Sequence, residues 1–405
     1  MKGIPFILLL IVQVYLLNTN FYSISADEAG HTIEAVRFYQ GASLFSIWLP
    51  FEKVFLGFFL LFGDMFWMPR IISMIFGHLC LASLILVASE LFDSGMVIIL
   101  TGIIGAISLI AVFSVLPLTE IYFFTFVLLS VYFLLKKSNW VYLSTILMTT
   151  VRFEGWIFAF IIMLTLYKKD GLKVFGLMVF PLFWVILGYF ETGSLTGFIT
   201  QVSARKRVWR TEDSILYNFL LLSVHSGLII GIFYLKKNKR YLWIFITTLI
   251  IWQIGTSLSG ATATHNVWRT GLIWMIMLIP FTSYMITQLY KNQKILGAGL
   301  LILLGYLTIS GTLTRTKESY TKIEDLEAGK FIKENSGTYV MPKYGWEYTN
   351  LLITSGKQIE YKDKITDFNY DYIILRQRAN LKMVFTNNKW FIYKLRGKGL
   401  NRWMF

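Results

Sequence analysis

Runs of about twenty apolar residues, nearly free of charge, recur along this chain at 4–20, 70–90, 96–114, 119–135, 173–190, 214–235, 241–258, 270–289 and 295–313. A helix of that length, rising about 1.5 Å per residue, covers the roughly 30 Å hydrocarbon core of a bilayer. Lipid offers the backbone no hydrogen-bond partners, so a chain of such runs is committed to a helical bundle. The mean hydropathy of +0.59 and the 56% share of hydrophobic residues agree, both being above what a soluble domain carries. The first run follows Met1-Lys2-Gly3 and could be a signal peptide. It lacks a small-x-small cleavage site and later spans follow, which predicts an uncleaved first helix.

The segment 139–167 breaks the pattern, because Arg152-Phe153-Glu154-Gly155 divides it into apolar halves at 140–151 and 155–167. One straight helix would put an arginine and a glutamate at mid-membrane. A hairpin gives two arms of about 13 residues, or about 20 Å each, workable where the tip lies in a protein-lined, wet setting. Loop charge favours the hairpin. Lys136-Lys137, Lys168-Lys169-Lys173, Lys236-Lys237-Lys239-Arg240 and Lys291-Lys294 are basic edges that should all be cytoplasmic. Lys137 and Lys168 share a side only if the chain between them crosses and returns. The expectation is an all-α polytopic protein of about eleven transmembrane helices, N-terminus cytoplasmic and C-terminus extracytoplasmic, with Arg152 and Glu154 facing out.

Segments 21–52, 115–120, 191–213, 259–269 and 314–405 then face outward. The outer loop 21–52 carries Asp27, Glu28, His31, Glu34 and Arg37. Ser25 or Asp27 can cap a short helix there, with Ile33, Val36 and Tyr39 as its apolar side. Residues 51–62 are too short to span and read as a helix lying at the outer interface or dipping partway in. After about Thr314 the composition becomes that of a small soluble α/β domain: 323–334 reads as an amphipathic helix, and 338–341, 370–375, 383–386 and 390–393 read as strands. The division is therefore 1–313, membrane, and 314–405, soluble. With Cys80 as the one cysteine, that domain folds without a disulfide. The net charge of +15 collects at membrane edges and in the tail, and needs no nucleic acid to explain it.

Five constellations could carry chemistry. Asp27-Glu28 offers a carboxylate near the membrane surface, able to take a proton from an attacking hydroxyl; the pair also suits a helix first turn. Glu120, in Leu116-Pro117-Leu118-Thr119-Glu120, opens a helix from the outer side, where charge–dipole complementarity would suffice as a role. Arg152 with Glu154 sits at the hairpin tip, where ionisable residues are costly and commonly functional, though they could simply pair. Arg205-Lys206-Arg207 with Arg210 opposes the positive-inside rule, which points to an anionic partner or to pairing with Glu212 and Asp213. His265 and Arg269 open a late span, and a guanidinium suits phosphate. His31, His78 and His225 give no ligand spacing, and the sequence has no glycine-rich phosphate loop, Ser-His-Asp order or zinc motif.

Taken in order, these features resemble the GT-C fold membrane glycosyltransferases, in particular the protein O-mannosyltransferase and aminoarabinose-transferase branch and the related dolichyl-phosphate-mannose-dependent enzymes. The resemblance rests on Asp27-Glu28-Ala29; on Trp48-Leu49-Pro50-Phe51 leading to Leu61-Phe62-Gly63-Asp64 and Arg70-Ile71-Ile72-Ser73; on Leu116-Pro117-Leu118-Thr119-Glu120; on Thr150-Val151-Arg152-Phe153-Glu154-Gly155-Trp156, like the family's Thr-Arg-x-Glu-Gly turn; and on Arg269 with Pro280 beyond it. It covers about 300 residues. It implies a sugar donor on a polyprenyl or dolichyl phosphate, an acceptor on a protein, lipid or glycan, Asp27 as base, and Glu28 orienting acceptor or base. Arg152 and Arg269 would neutralise the departing phosphate, with Arg205, Lys206, Arg207 and Arg210 as further candidates and Glu120, Glu154 and His265 in support. The chain departs from the pattern at Phe153, where relatives often carry proline, and in its short tail. The first loop has no Asp-x-Asp, which weighs against an oligosaccharyltransferase and a strict metal requirement, leaving a divalent metal open. A lipid-linked sugar flippase or transporter is the alternative; the one-sided placement of the unusual charges favours chemistry. A purely structural role leaves the outer basic cluster and the hairpin unexplained.

Overall fold

The structure, a computed structural model, describes residues 3–19, 24, 26–46, 48–194, 228–258, 272–320, 322–342, 347–362, 365 and 369–395. In chain order the helices are α1 (Ile4–Asn18), α2 (Ala26–Tyr39), α3 (Pro50–Leu60), α4 (Trp67–Leu91), α5 (Gly95–Ala106), α6 (Leu109–Val115), α7 (Thr119–Leu135), α8 (Trp140–Val151), α9 (Glu154–Asp170) and α10 (Val179–Thr192). A 3₁₀ segment, Gly171–Met178, joins α9 to α10, and another covers Leu228–Lys237. Then come α11 (Lys239–Leu258), α12 (Leu272–Asn292), α13 (Lys294–Tyr320) and α14 (Ile323–Glu334). The tail adds β1 (Tyr339–Pro342), α15 (Glu347–Ser355), β2 (Ile359–Lys362), β3 (Tyr372–Leu375), β4 (Lys382–Thr386) and β5 (Phe391–Lys394).

Among the described residues three helical stretches are long and apolar enough to cross a membrane: Trp67–Leu91, Glu154–Thr192 and Leu272–Asn292. Gly95–Ala106 with Leu109–Val115 makes a fourth if the pair is one span. Shorter apolar helices are Ile4–Asn18, Thr119–Leu135, Trp140–Val151 and Lys294–Leu307. The run 96–114, expected as one helix, instead bends by 45°. Ser108 makes the break. Its backbone is extended, its hydroxyl donates to Gly105 O at 2.8 Å, and the same oxygen caps α6 by accepting from Ile110 N at 3.4 Å.

The hairpin at 139–167 is present. α8 and α9 flank an extended Arg152, and Trp156 Nε1 donates across the turn to Thr149 O at 3.0 Å. At the far end Tyr142 donates to Asp170 Oδ2 at 2.9 Å, so the arms are antiparallel. Gly155 is required there: a Cβ would lie 2.6 Å from Met148 O. At Gly171, with φ +59°, the chain turns back, and α10 returns until Glu191 accepts from Ser43 at 2.8 Å.

α4 organises this half of the bundle. Its first turns lie beside those of α7, with Ser73 and Tyr122 hydroxyls 3.2 Å apart and Thr125 donating to Phe76 O at 3.3 Å. Gln13 stitches α1 to α6 through Ser114 Oγ at 2.8 Å. Further along the chain, Tyr241 donates to Met277 O at 2.6 Å and Trp274 to Thr248 Oγ1 at 3.0 Å, joining α11 to α12. The heads of α4 and α7 and the α8–α9 tip therefore share one end of the bundle, and the basic turns at Lys136-Lys137 and Lys168-Lys169 share the other.

The C-terminal unit is a five-stranded sheet in the order β2-β1-β3-β5-β4, parallel across β2, β1 and β3 and antiparallel across β3, β5 and β4. The expected helix and four strands are there; α15 and β2 were not anticipated. α14 and α15 pack so closely that a Cβ on Gly329 would overlap Thr354. Beneath them Asp325 is fully buried, accepting from Asn350 Nδ2 at 2.7 Å and Trp390 Nε1 at 2.6 Å, with Lys389 Nζ at 2.8 Å. Asp325→Ala strips these buried donors of their acceptor and should destabilise the C-terminal unit by about 3 kcal/mol. Limited proteolysis of the full chain would show earlier cleavage within 323–395 than in wild type; an unchanged cleavage rate would contradict this account.

Candidate functional site

The helix α2 is held by its polar face. Glu28 is 0% exposed and forms an ion pair with Arg70, itself 2% exposed, at the head of α4. Arg70 also donates to Phe66 O at 2.8 Å, and its guanidinium lies 3.8 Å from the Phe66 ring centroid, where a cation gains from the ring's negative face. The turn feeding α4 is fixed by Asp64, whose Oδ1 accepts from Phe66 N at 2.8 Å and Trp67 N at 3.0 Å. The apolar side expected on α2 is only half-buried at Ile33 and Val36, and Ile33 packs toward Ile353 of α15. The buried face is Glu28, Ala29, Thr32 and Ala35 with His31, while Tyr39 is exposed. The reason is energetic: α4 and α3 present charged groups to α2, and a buried charge demands a charged partner.

Two more close contacts between polar side chains join α2 to α3. His31 Nδ1 lies 2.7 Å from Glu52 Oε2, both buried, and the His31 ring sits 4.4 Å from Trp48. Lys53 Nζ lies 3.0 Å from Glu34 Oε2 and donates to Ser46 Oγ at 2.6 Å and Leu44 O at 3.1 Å, pinning the loop between the helices. Gly30 allows Trp48 to sit against α2, since a Cβ there would come within 2.9 Å of the indole. α3, expected at the interface or dipping partway in, packs Phe51 against Phe76, Tyr122 and Phe126, so it joins the helix core.

The hairpin tip carries the third cluster. Arg152 Nη1 donates to Glu120 Oε1 at 2.6 Å and Thr119 Oγ1 at 2.9 Å, while Nη2 and Nε reach Glu154 Oε1 and Oε2 at 2.9 and 3.2 Å. Glu120 is 1% exposed, whereas Arg152 and Glu154 are 16% and 14% exposed through their side chains. One guanidinium thus faces two carboxylates, and the trio has a net charge of −1 when all are ionised. Such a fork is a strong, oriented bond, and its residual positive potential toward a third group is small.

Of the residues singled out from sequence, the structure brings Glu120, Arg152 and Glu154 into one cluster and sets Glu28 against Arg70 in another. Asp27 is exposed in the first turn of α2. Arg205, Lys206, Arg207, Arg210, His265 and Arg269 lie outside the described residues. Sequence reasoning did not single out Glu52, Lys53 or the roles of His31 and Arg70. The signal was available: Glu52-Lys53 interrupts an otherwise apolar stretch, and Arg70 opens an apolar run without a nearby acidic residue on its own helix. Among the described residues no three His, Cys, Asp or Glu side chains converge as a metal cage.

The α2 attachment makes a direct prediction. Arg70→Met leaves Glu28 buried and uncompensated and should cost about 3–5 kcal/mol, whereas the double variant Glu28→Gln/Arg70→Met should recover much of it. Thermal unfolding of the detergent-solubilised chain checks this; a double variant no better than the single would show that the pair is not coupled.

No protein-family model matches the sequence, and no curated protein matches it. Solved structures do match. The oligosaccharyltransferase of Archaeoglobus fulgidus, crystallised with a tethered acceptor peptide containing the NVT sequon, aligns with TM-score 0.51 at 12% identity, over 89% of this chain and 64% of its own. The archaeal oligosaccharyltransferase from the same organism in complex with an inhibitory peptide and a dolichol-phosphate gives TM-score 0.50 at 11% identity, over 88% and 64%. The chain spans a little under two thirds of the length of these neighbours. At such identity the likeness is one of fold: mostly helical, with candidate membrane spans and a small C-terminal sheet.

Proposed function

We propose that this chain is a membrane glycosyltransferase that moves a sugar, a mannose-like hexose or a pentose, from a polyprenyl- or dolichyl-phosphate donor to an acceptor on a protein, lipid or glycan. The observation that carries the reading is the gathering of Glu28–Arg70, His31–Glu52 and Glu120–Arg152–Glu154 at one end of a GT-C-like bundle. Asp27 stands exposed one residue before the buried Glu28, so a rigid attachment lies directly beneath a solvent-facing carboxylate.

In this reading Asp27 accepts the proton of the acceptor hydroxyl as its oxygen attacks the anomeric carbon, and the lipid phosphate departs from the opposite face with the bonding pair. That single displacement inverts the anomeric configuration. Glu28, held by Arg70, fixes the orientation of Asp27 rather than touching substrate. The leaving phosphate gains charge as the bond breaks, and preorganised cations lower the barrier. Arg152 already faces two carboxylates, so we assign that duty first to Arg269 and to Arg205, Lys206, Arg207 and Arg210. Arg152 would join them if Glu154, the more exposed of its partners, swings aside; Glu120, Glu154 and His265 then have supporting roles. The same reading takes about eleven crossings, a cytoplasmic N-terminus, and the site and C-terminal unit on the extracytoplasmic side of the cell membrane.

Asp27→Asn should lower transfer from a polyprenyl-phosphate sugar by about 10²- to 10⁴-fold, the usual worth of a general base. The chain should remain folded in the membrane, and wild-type product should be anomerically inverted. Undiminished turnover by the variant would remove Asp27 as the base, and a retained configuration would remove the single displacement.

A further inference from the structure

At the end of the bundle opposite Arg152, the turn joining α7 to α8 and the close of α9 surround a cavity of about 280 Å³. Three cations line it, Lys137, Lys169 and Arg240, with Tyr142, Ser138 and Asp170. Asp170 is the carboxylate among the lining residues. It already accepts from Tyr142 at 2.9 Å and lies 3.8 Å from Lys169 Nζ. Arg240 Nη1 donates to Leu134 O at 3.2 Å, which turns its fork toward the C-terminal carbonyls of α7. The lining therefore keeps a surplus of two positive charges.

A second observation concerns the backbone. Lys137, with φ +58°, is among the described residues the one non-glycine in the left-handed region. It occupies the position of a helix end that glycine ordinarily takes: Lys137 N bonds Leu134 O at 3.2 Å and Ser138 N bonds Phe133 O at 2.9 Å, the paired bonds of a Schellman turn. Glycine would make this turn without steric cost, and asparagine with less. A lysine held there carries a local strain that the surrounding structure must offset, and this residue lines the cavity. Trp140, Leu143 and Tyr167 nearby are exposed, as residues at a lipid–water boundary are.

We propose that this cavity binds a phosphate group, and that the group is the headgroup of an anionic membrane lipid. The ammonium groups of Lys137 and Lys169 supply point charges and Arg240 a donor fork, a combination that suits a phosphate diester at the membrane edge. The apolar surfaces of Trp140 and Leu143 give its acyl chains a place to lie.

The test uses the full chain in detergent micelles. Its thermal midpoint is compared with added phosphatidylglycerol, phosphatidylcholine, or inorganic phosphate at equal concentration. Wild type should gain a few degrees from phosphatidylglycerol over phosphatidylcholine and nothing from inorganic phosphate. Lys137→Gly should raise the midpoint in phosphatidylcholine, because the turn is relieved, yet lose the phosphatidylglycerol increment. Lys169→Gln should reduce that increment without the backbone gain. An equal increment from inorganic phosphate would overturn the lipid source. A wild type indifferent to phosphatidylglycerol, or both variants keeping the full increment, would overturn the site.

Discussion

The attachment of α2 depends on a buried charge pair. Glu28 and Arg70 are both removed from water, at the point where α2 meets the head of the first long apolar helix. Stripping two charges of solvent costs several kcal/mol each, and their attraction offsets this only when geometry and further hydrogen bonds are good. Here they are. Arg70 spends one nitrogen on Glu28, another on Phe66 O, and its face on the Phe66 ring. Such a pair adds little net stability over an apolar contact of equal size, but it is unforgiving of misplacement. It therefore fixes where α2 sits more than how strongly it is held.

Once α2 is placed, its other contacts follow. The His31–Glu52 and Lys53–Glu34 pairs set α3, and α3 brings Phe51 onto the heads of α4 and α7. On its opposite side α2 meets the C-terminal unit: Ile24, Ala29 and Ile33 pack with Ile353 of α15, and Met65 and Phe66 join them. The C-terminal unit thus rests on the segment that carries Asp27, while the more exposed Lys333–Asp64 contact at 3.7 Å adds little. A helix clamped on one side by charged side chains and on the other by hydrocarbon has few ways to rotate, and the placement of Asp27 follows from these contacts.

How much of this could be read from the chain follows from which forces leave a local signature. The hairpin at 139–167 was legible because charge at membrane depth and the sidedness of Lys137 and Lys168 both demanded it, and α14 matched its predicted bounds, 323–334, because amphipathic periodicity is local. The strands β1, β3, β4 and β5 were legible from short alternating or β-branched runs. β2 and α15 were not, since Ile359–Lys362 and Glu347–Ser355 acquire their character from the sheet they join. The fully buried face of α2 is not legible for a related reason. Apolar spacing pointed to Ile33, Val36 and Tyr39, but the neighbours' charges, distant in sequence, chose the polar face. The bend at Ser108 needed knowledge of how one hydroxyl would be used twice.

The cluster at the hairpin tip shows why pairing must be judged by charge balance as well as by proximity. An arginine at membrane depth, read alone, is a ready cation for an anionic ligand. Arg152 is indeed at the tip, but Glu120 at 2.6 Å and Glu154 at 2.9 Å leave the trio net negative. Coulomb attraction at these separations and low dielectric is large enough that a phosphate would have to displace a carboxylate rather than add to the set. The two carboxylates are not equivalent. Glu120 is buried at the head of α7 and shares Arg152 with Thr119, whereas Glu154 lies on the partly exposed side of the turn. Exposure makes Glu154 the partner that water can solvate if it leaves. The tip therefore holds one guanidinium between a buried carboxylate and a partly exposed one.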